Sequence, residues 1–244
     1  MIRHFWKNKR PPEAQPSTPA SQQYADFSTQ HWQLIRQVQP YTMTSPERLH
    51  QLLEAVWYLE KAQIPGAMLE CGVWKGGSMM AIAYALLHQG ALRPLYLCDT
   101  FCGMPSPLAD EHRYDGIAAT TLYQEGLQKE QGRWLAASLT EVQANLAQTA
   151  YPSTLLHWVE GDILQTLPTQ APEQLALLRL DTDWYSSTKH ALETLYPRLA
   201  SGGVLIIDDY GHWQGCRRAV DEYFAQIPVF WHRVDYTCRM LVKP

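Results

Sequence analysis

The sequence predicts an α/β fold of the doubly wound, Rossmann-like kind, and three observations carry that prediction. Five short apolar runs recur along the chain: AMLEC at 67–71, LYLC at 95–98, a run at 154–159, LALLRL at 175–180 and VLII at 204–207. They lack clean in–out alternation, as strands buried on both faces do. Segments with helical spacing separate most of them, and strands alternating with helices imply a parallel sheet covered on both sides. Four of the five runs end in an acid, at Glu70, Asp99, Asp181 and Asp208.

The elements follow in order. Residues 1–23 read as a disordered tail, because Pro11, Pro12, Pro16 and Pro19 sit among Ser, Gln and Ala with little to bury. Arg3, Lys7, Lys9 and Arg10 beside Phe5 and Trp6 form a weaker candidate anchor for an anionic membrane. Residues 24–244 are expected to form one domain. Ser45-Pro46-Glu47 starts a helix: a capping hydroxyl, a proline at the first helical position, an acid at the positive dipole end. Leu49, Leu52, Leu53, Val56 and Trp57 form its apolar stripe, and Pro65-Gly66 closes the segment. After the first strand, Gly76-Gly77-Ser78 opens a helix with Met80, Tyr84 and Leu87 on its face, ending at Gly90. Residues 102–150 are polar, helix-compatible and too long for a simple crossover, so they read as an inserted helical lid. The third strand leads to Gly161-Asp162. Ser186 or Ser187 is the expected cap of the helix after the fourth strand, with Gly202-Gly203 as its stop. A further helix begins near Gly215. The runs 229–234 and 237–242, joined at Asp235-Tyr236, read as a terminal hairpin.

Composition narrows the function classes. A net charge of −4 argues against binding nucleic acid through bulk positive charge. No run of 18 apolar residues predicts a transmembrane helix, and the first residues lack the apolar core of a signal peptide. Five scattered cysteines with no CxxC pair fit free thiols in the cytoplasm better than a disulfide framework or a thiolate zinc site.

Ligands of open α/β sheets bind beyond the carboxyl ends of the strands, so the strand-end acids are expected to share one crevice. The turn ECGVWKGGS over 70–78 is neither GxxxxGK[ST] nor GxGxxG, which disfavours a gripped phosphate or a dinucleotide. Glu70 instead suits a cationic ligand group such as an ammonium. Asp99 is placed to accept hydrogen bonds from a ribose diol. The competing reading makes both acids caps of nearby loops. Asp181, Asp208 and Asp209, with Asp183 nearby, come from two strand ends expected to be neighbours. Clustered carboxylates repel unless a cation or proton intervenes, and an all-oxygen set favours Mg²⁺, Ca²⁺ or Mn²⁺. Turn formation is the alternative for an Asp-Asp pair. His212 is a candidate base or a solvated loop residue. Trp184, Tyr185, Tyr210 and Trp213 either wall an acceptor pocket or simply pack. Of Arg217 and Arg218, one pairs with the acids or both lie on a surface face.

Read together, LECGVWKGGS, CDTFCGMPSP, GDILQTLP, LRLDTDWYSST and GGVLIIDDYGHWQGCRRAVDEYF, with YTMTSPERL upstream, resemble the macrocin O-methyltransferase family over about residues 40–225. The resemblance implies a class I S-adenosylmethionine-dependent fold with seven strands and an antiparallel terminal hairpin. It implies that Glu70, Gly72, Gly76, Gly77 and Ser78 surround the methionine part of the cofactor, Asp99 the ribose and Asp162 the adenine. It implies Asp181, Asp208 and Asp209 as ligands of a divalent ion, usually Mg²⁺, and Asp183 as a further active-site acid. The expected reaction is methyl transfer to a hydroxyl of a sugar or glycosylated small molecule, with Asp181, Asp183 and His212 as the catalytic candidates. A catechol-like phenol is the alternative acceptor. A dehydrogenase and a non-catalytic scaffold are the remaining rivals, and a homo-oligomer packed through Trp-rich lid segments is a further expectation.

Overall fold

The structure is a computed structural model and describes residues 24–244; the expected tail over 1–23 and its basic–aromatic run lie outside the described residues. Seven strands form one sheet in the order β3-β2-β1-β4-β5-β7-β6. The strands are β1 (Ala67–Cys71), β2 (Leu95–Asp99), β3 (Leu156–Glu160), β4 (Leu175–Leu180), β5 (Leu199–Ile207), β6 (His232–Arg233) and β7 (Arg239–Val242). β1 to β5 are mutually parallel, and β7 runs antiparallel to both β5 and β6. The strand order reverses between β1 and β4, where the loops leaving the two strands diverge and open a crevice.

Two apolar cores flank this sheet. Met68 and Leu177 face the first; Leu69, Cys71 and Leu178 face the second. On the first side lie α1 (Thr29–Val38), α2 (Pro46–Lys61) and α3 (Gly77–His88). Ser45 caps α2 as expected, its hydroxyl accepting from the Arg48 amide at 3.3 Å. The face expected for α3 is too narrow. Met79 to Ala83, Ala85 and Leu86 are all buried, while Tyr84 and Leu87 are its half-buried side. A helix pressed between the sheet and two other helices is apolar nearly all round.

The 102–150 segment holds α4 (Ala119–Lys129) and α5 (Leu139–Ala147). Val142 and Leu146 of α5 join the first core and press on the turn before α3; a Cβ on Gly76 would stand 2.7 Å from Leu146 Cδ2. α5 is thus the layer helix of the β2–β3 crossover. Of α4, only Ala119 and Gly126 are buried. The second side of the sheet carries the short α6 (Ile163–Thr166), α7 (Tyr185–Leu195) and α8 (Gln214–Phe224).

Three local expectations differ from the structure. Gly202-Gly203 do not stop a helix: α7 ends at Leu195, and the glycines lie inside β5 beside a register shift, Gly202 at φ 78°. A bulge uses the conformational freedom of glycine just as a helix stop does. The hairpin is shorter and its loop longer than the expected turn, because Asp235 Oδ1 accepts from Thr237 N at 2.9 Å and Cys238 N at 2.8 Å, a local asparagine-type turn. Neither Ser186 nor Ser187 caps α7: the Ser187 hydroxyl bonds to the carbonyls of Thr182 and Trp184, and the first amide, Tyr185 N, is taken by the remote Glu111 at 2.6 Å.

Candidate active site

A cleft opens at the carboxyl edge over β1, β2, β3 and β4. Gly72, Asp99, Asp162, Asp181 and Asp183 line it together with Met43, Trp74, Met104, Leu135 and Ile163. Three non-glycine residues of this lining, Trp74, Leu135 and Asp183, have φ of 44°, 51° and 60°. Left-handed backbone is costly for such residues and concentrates at functional sites.

The expected cofactor residues divide into two groups. Gly72, Asp99 and Asp162 reach the cleft; Glu70, Gly76, Gly77 and Ser78 lie behind its lining. Gly72 is required by a close approach, since a Cβ there would fall 1.8 Å from the Asp181 carbonyl oxygen. A Cβ on Gly77 would meet the Tyr41 backbone and Thr42 Cβ at 2.7 Å. Asp99 caps nearby loops, Oδ2 accepting from Val73 N at 2.6 Å and Trp74 N at 3.1 Å and Oδ1 from Phe101 N at 2.8 Å, and the residue also lines the cleft. Asp162 caps α6 through Leu164 N at 2.9 Å.

Asp181, Asp208 and Asp209 converge, with one oxygen of each lying within 4.8 Å of the others. The parallel pairing of β4 with β5 brings Leu180 opposite Ile207, so the acids that follow are neighbours. Between them sits a residue that sequence reasoning missed. Arg179, buried at 2% exposure in the middle of LALLRL, donates to Asp181 Oδ2 at 2.7 Å, Asp208 Oδ1 at 2.5 Å, Thr44 Oγ1 at 3.1 Å and Glu70 Oε1. Arg48 of α2 adds an ion pair to Asp208 and another to Asp235 Oδ2 at 3.1 Å. A lone arginine in an otherwise apolar strand, two residues before an acid, was the available signal. A buried guanidinium needs carboxylate partners.

Charge remains in excess of these two arginines. Burial pushes Glu70 up to about 8 against the pull of Arg179. Burial, with Asp181 beside it, pushes Asp183 up to about 8. Asp209 is driven well above the usual carboxylate range by burial and by Asp183 and Asp181. A hard divalent cation fits this donor set: every donor is oxygen, the three acids are within mutual reach, and their negative charge is incompletely balanced. Asp181 and Asp209 would hold it with the oxygens that Arg179 and the Asp183 amide leave free; Asp208 already accepts from both arginines.

His212 is not brought into the cleft. Its Nδ1 faces the Tyr236 hydroxyl at 3.1 Å, its ring packs on Tyr114 and Trp213, and burial with Arg113 and Arg48 nearby lowers its pKa. Trp184 and Trp213 pack edge to face at 4.8 Å in the second core. Arg217 and Arg218 pair with Asp221 and Asp110, away from the cluster.

A sheet ordered 3-2-1-4-5-7-6, with a strand-end acid in a cleft at its switch point, defines a class I methyltransferase. Comparison with known proteins makes this specific. The sequence model of the macrocin O-methyltransferase family matches residues 8–242, further in both directions than the motifs alone. The chain is 36% identical over 184 residues to 8-demethyl-8-(2,3-dimethoxy-α-L-rhamnosyl)-tetracenomycin-C 4′-O-methyltransferase of Streptomyces olivaceus, covering 75% of this chain and 67% of that one. It is 34% identical over 184 residues to mycinamicin III 3″-O-methyltransferase of Micromonospora griseorubida, covering 75% and 70%. The solved structure of the O-methyltransferase NovP superposes with a TM-score of 0.70 at 31% identity, over 83% of this chain and 82% of that one. The chain belongs to the macrocin O-methyltransferase family and is an O-methyltransferase.

Proposed function

We propose that this chain methylates a hydroxyl of a sugar on a glycosylated natural product, using S-adenosylmethionine and a divalent cation held by Asp181 and Asp209, with Asp208 tying the cluster to Arg179 and Arg48. The observation that carries the reading is the junction of the carboxylate cluster with the Asp99 cleft, which Asp181 and Asp183 both line. The names of two relatives point to the same acceptor class: one is the 4′-O-methyltransferase of a rhamnosylated tetracenomycin, the other the 3″-O-methyltransferase of mycinamicin III. No helix among the described residues is long and apolar enough to cross a membrane, and the five cysteines carry free thiols, which favours a reducing compartment such as the cytoplasm.

Bound in the cleft, S-adenosylmethionine supplies an electrophilic methyl whose C–S bond breaks, leaving its pair on sulfur, as the acceptor oxygen forms the C–O bond. Asp181 and Asp209 would hold a divalent cation, which would supply Lewis acidity toward the acceptor hydroxyl. Asp99 accepts from the ribose diol while fixing the Val73–Trp74 turn. Asp183, which lines the cleft, takes the hydroxyl proton in its ionised form; Asp181 has Oδ2 occupied by Arg179. Positioning and charge account for most of the rate.

Calorimetric titration with S-adenosylhomocysteine, with and without Mg²⁺, tests this reading. Micromolar binding supports it and directs an acceptor screen to glycosides, with catechols as the contrast set. Absence of binding in both conditions overturns it.

A further inference from the structure

Glu111 lies in the segment between β2 and α4, yet it is buried at 1% exposure. Its Oε1 accepts from Tyr185 N, the first amide of α7, at 2.6 Å. The same carboxylate rests against Gly215 in the first turn of α8: a Cβ there would stand 1.9 Å from Oε2 and 2.5 Å from Cδ. Oε2 is buried without a hydrogen-bond partner. One carboxylate therefore sits at the start of two helices, and each helix follows a loop of site acids. A helix N-terminus carries about half a positive charge, which favours an anion at both.

The surrounding seam rests mainly on backbone carbonyls of the segment and of His212. Tyr114 N donates to the His212 carbonyl at 2.8 Å, Gln214 N to the His112 carbonyl at 2.9 Å, and Trp184 Nε1 to the Pro105 carbonyl at 3.1 Å. Across this seam the segment brings Met104 and Pro105 to the cleft and Tyr114 against His212 and Tyr236.

We propose that Glu111 is a positioning residue that latches this segment onto α7 and α8 and so sets the wall formed by Tyr114, His212 and Tyr236, where we place the acceptor. The functional half of this inference rests on the reading of the cleft as a methyl-transfer site; the latch itself does not. Without the carboxylate, the two helix starts lose their shared anion and the seam opens locally.

Amide hydrogen exchange on the full chain tests the latch without any ligand. E111A is expected to speed exchange of the Tyr114 and Gln214 amides at least tenfold, while core amides of β4 and β5 change less than twofold. E111Q keeps an acceptor for Tyr185 N and is expected to restore most of the protection. G215A pushes on the carboxylate from the other side and should reproduce E111A, with the double variant no worse than either single. With methyl α-L-rhamnoside as the probe acceptor, E111A should raise KM about tenfold while S-adenosylhomocysteine affinity stays within twofold. Seam amides unchanged in E111A overturn the latch, as does uniform loss of protection with no rescue in E111Q. A wild type that binds no S-adenosylhomocysteine contradicts the proposed function, and the exchange pattern still decides the latch.

Discussion

Replacing Arg179 by Met probes the charge network beneath the site while nearly preserving side-chain volume. The guanidinium is fully enclosed and pairs with Glu70, Asp181 and Asp208. Its loss leaves Glu70 and Asp208 buried without that partner, and breaking a buried pair costs about 3–5 kcal/mol. Against a total stability of about 5–15 kcal/mol, that is a large fraction. For a domain of this size it corresponds to a fall in Tm of about 6–20 °C. The pH dependence follows from Glu70. Its folded pKa, about 8, lies above the ordinary 4.5, so its ionisation opposes folding increasingly as pH rises toward 8. Arg179 is the influence that pulls this value down, and without it the value climbs further. The Glu70 part of the R179M deficit is therefore expected to emerge as pH rises through about 8 and to be absent well below it, so the profile runs from about pH 6 to about pH 10. Thermal and urea denaturation across this range measure it. A loss below about 1 kcal/mol, or one independent of pH, would refute the network as the reason for this buried arginine.

Three other outcomes are expected. Asp181→Asn should cut turnover about 100-fold or more while leaving S-adenosylhomocysteine affinity within a few-fold, since Asp181 belongs to the acid cluster; equal loss of both in calorimetry and kinetics would mean a folding role. Asp99→Ala removes the acceptor of three backbone amides and, on the proposed reading, of the ribose. It should weaken S-adenosylhomocysteine by about 10–100-fold, and an unchanged Kd would remove Asp99 from the cofactor site. Burial, with His31 beside it, lowers the pKa of His50 below its ordinary 6.5. The stability tied to its neutral form is present above pH 6.5 and is lost as pH falls, so His50→Gln should flatten the acid limb of a denaturation profile that the wild type shows.

The sheet and the strand-end acids were legible because both are local signals. Each apolar run ends within one residue of its strand's end, and parallel pairing then forces Asp181 and Asp208 together. What the sequence did not reveal depends on partners far along the chain. Arg179 reaches Glu70, 109 residues away, and Arg48 reaches Asp208, 160 residues away. The cap of α7 was sought in the adjacent serines but comes from Glu111, 74 residues earlier. The glycine-rich turn reads as a ligand cradle, yet Gly76 and Gly77 answer to α5 and to Tyr41 and Thr42. His212 follows the acids in sequence, but its ring turns toward Tyr236.

Cation-dependent methyl transfer to a sugar is tested most directly by the reaction itself. Wild-type protein, S-adenosylmethionine and a panel of rhamnosylated natural products are incubated with Mg²⁺ or with EDTA, and products are resolved by mass spectrometry. A singly O-methylated sugar is expected with Mg²⁺, and it should disappear with EDTA and in Asp181→Asn. Undiminished transfer in EDTA would contradict the cation-holding role of Asp181 and Asp209. Transfer to catechols with none to any glycoside would contradict the sugar as acceptor.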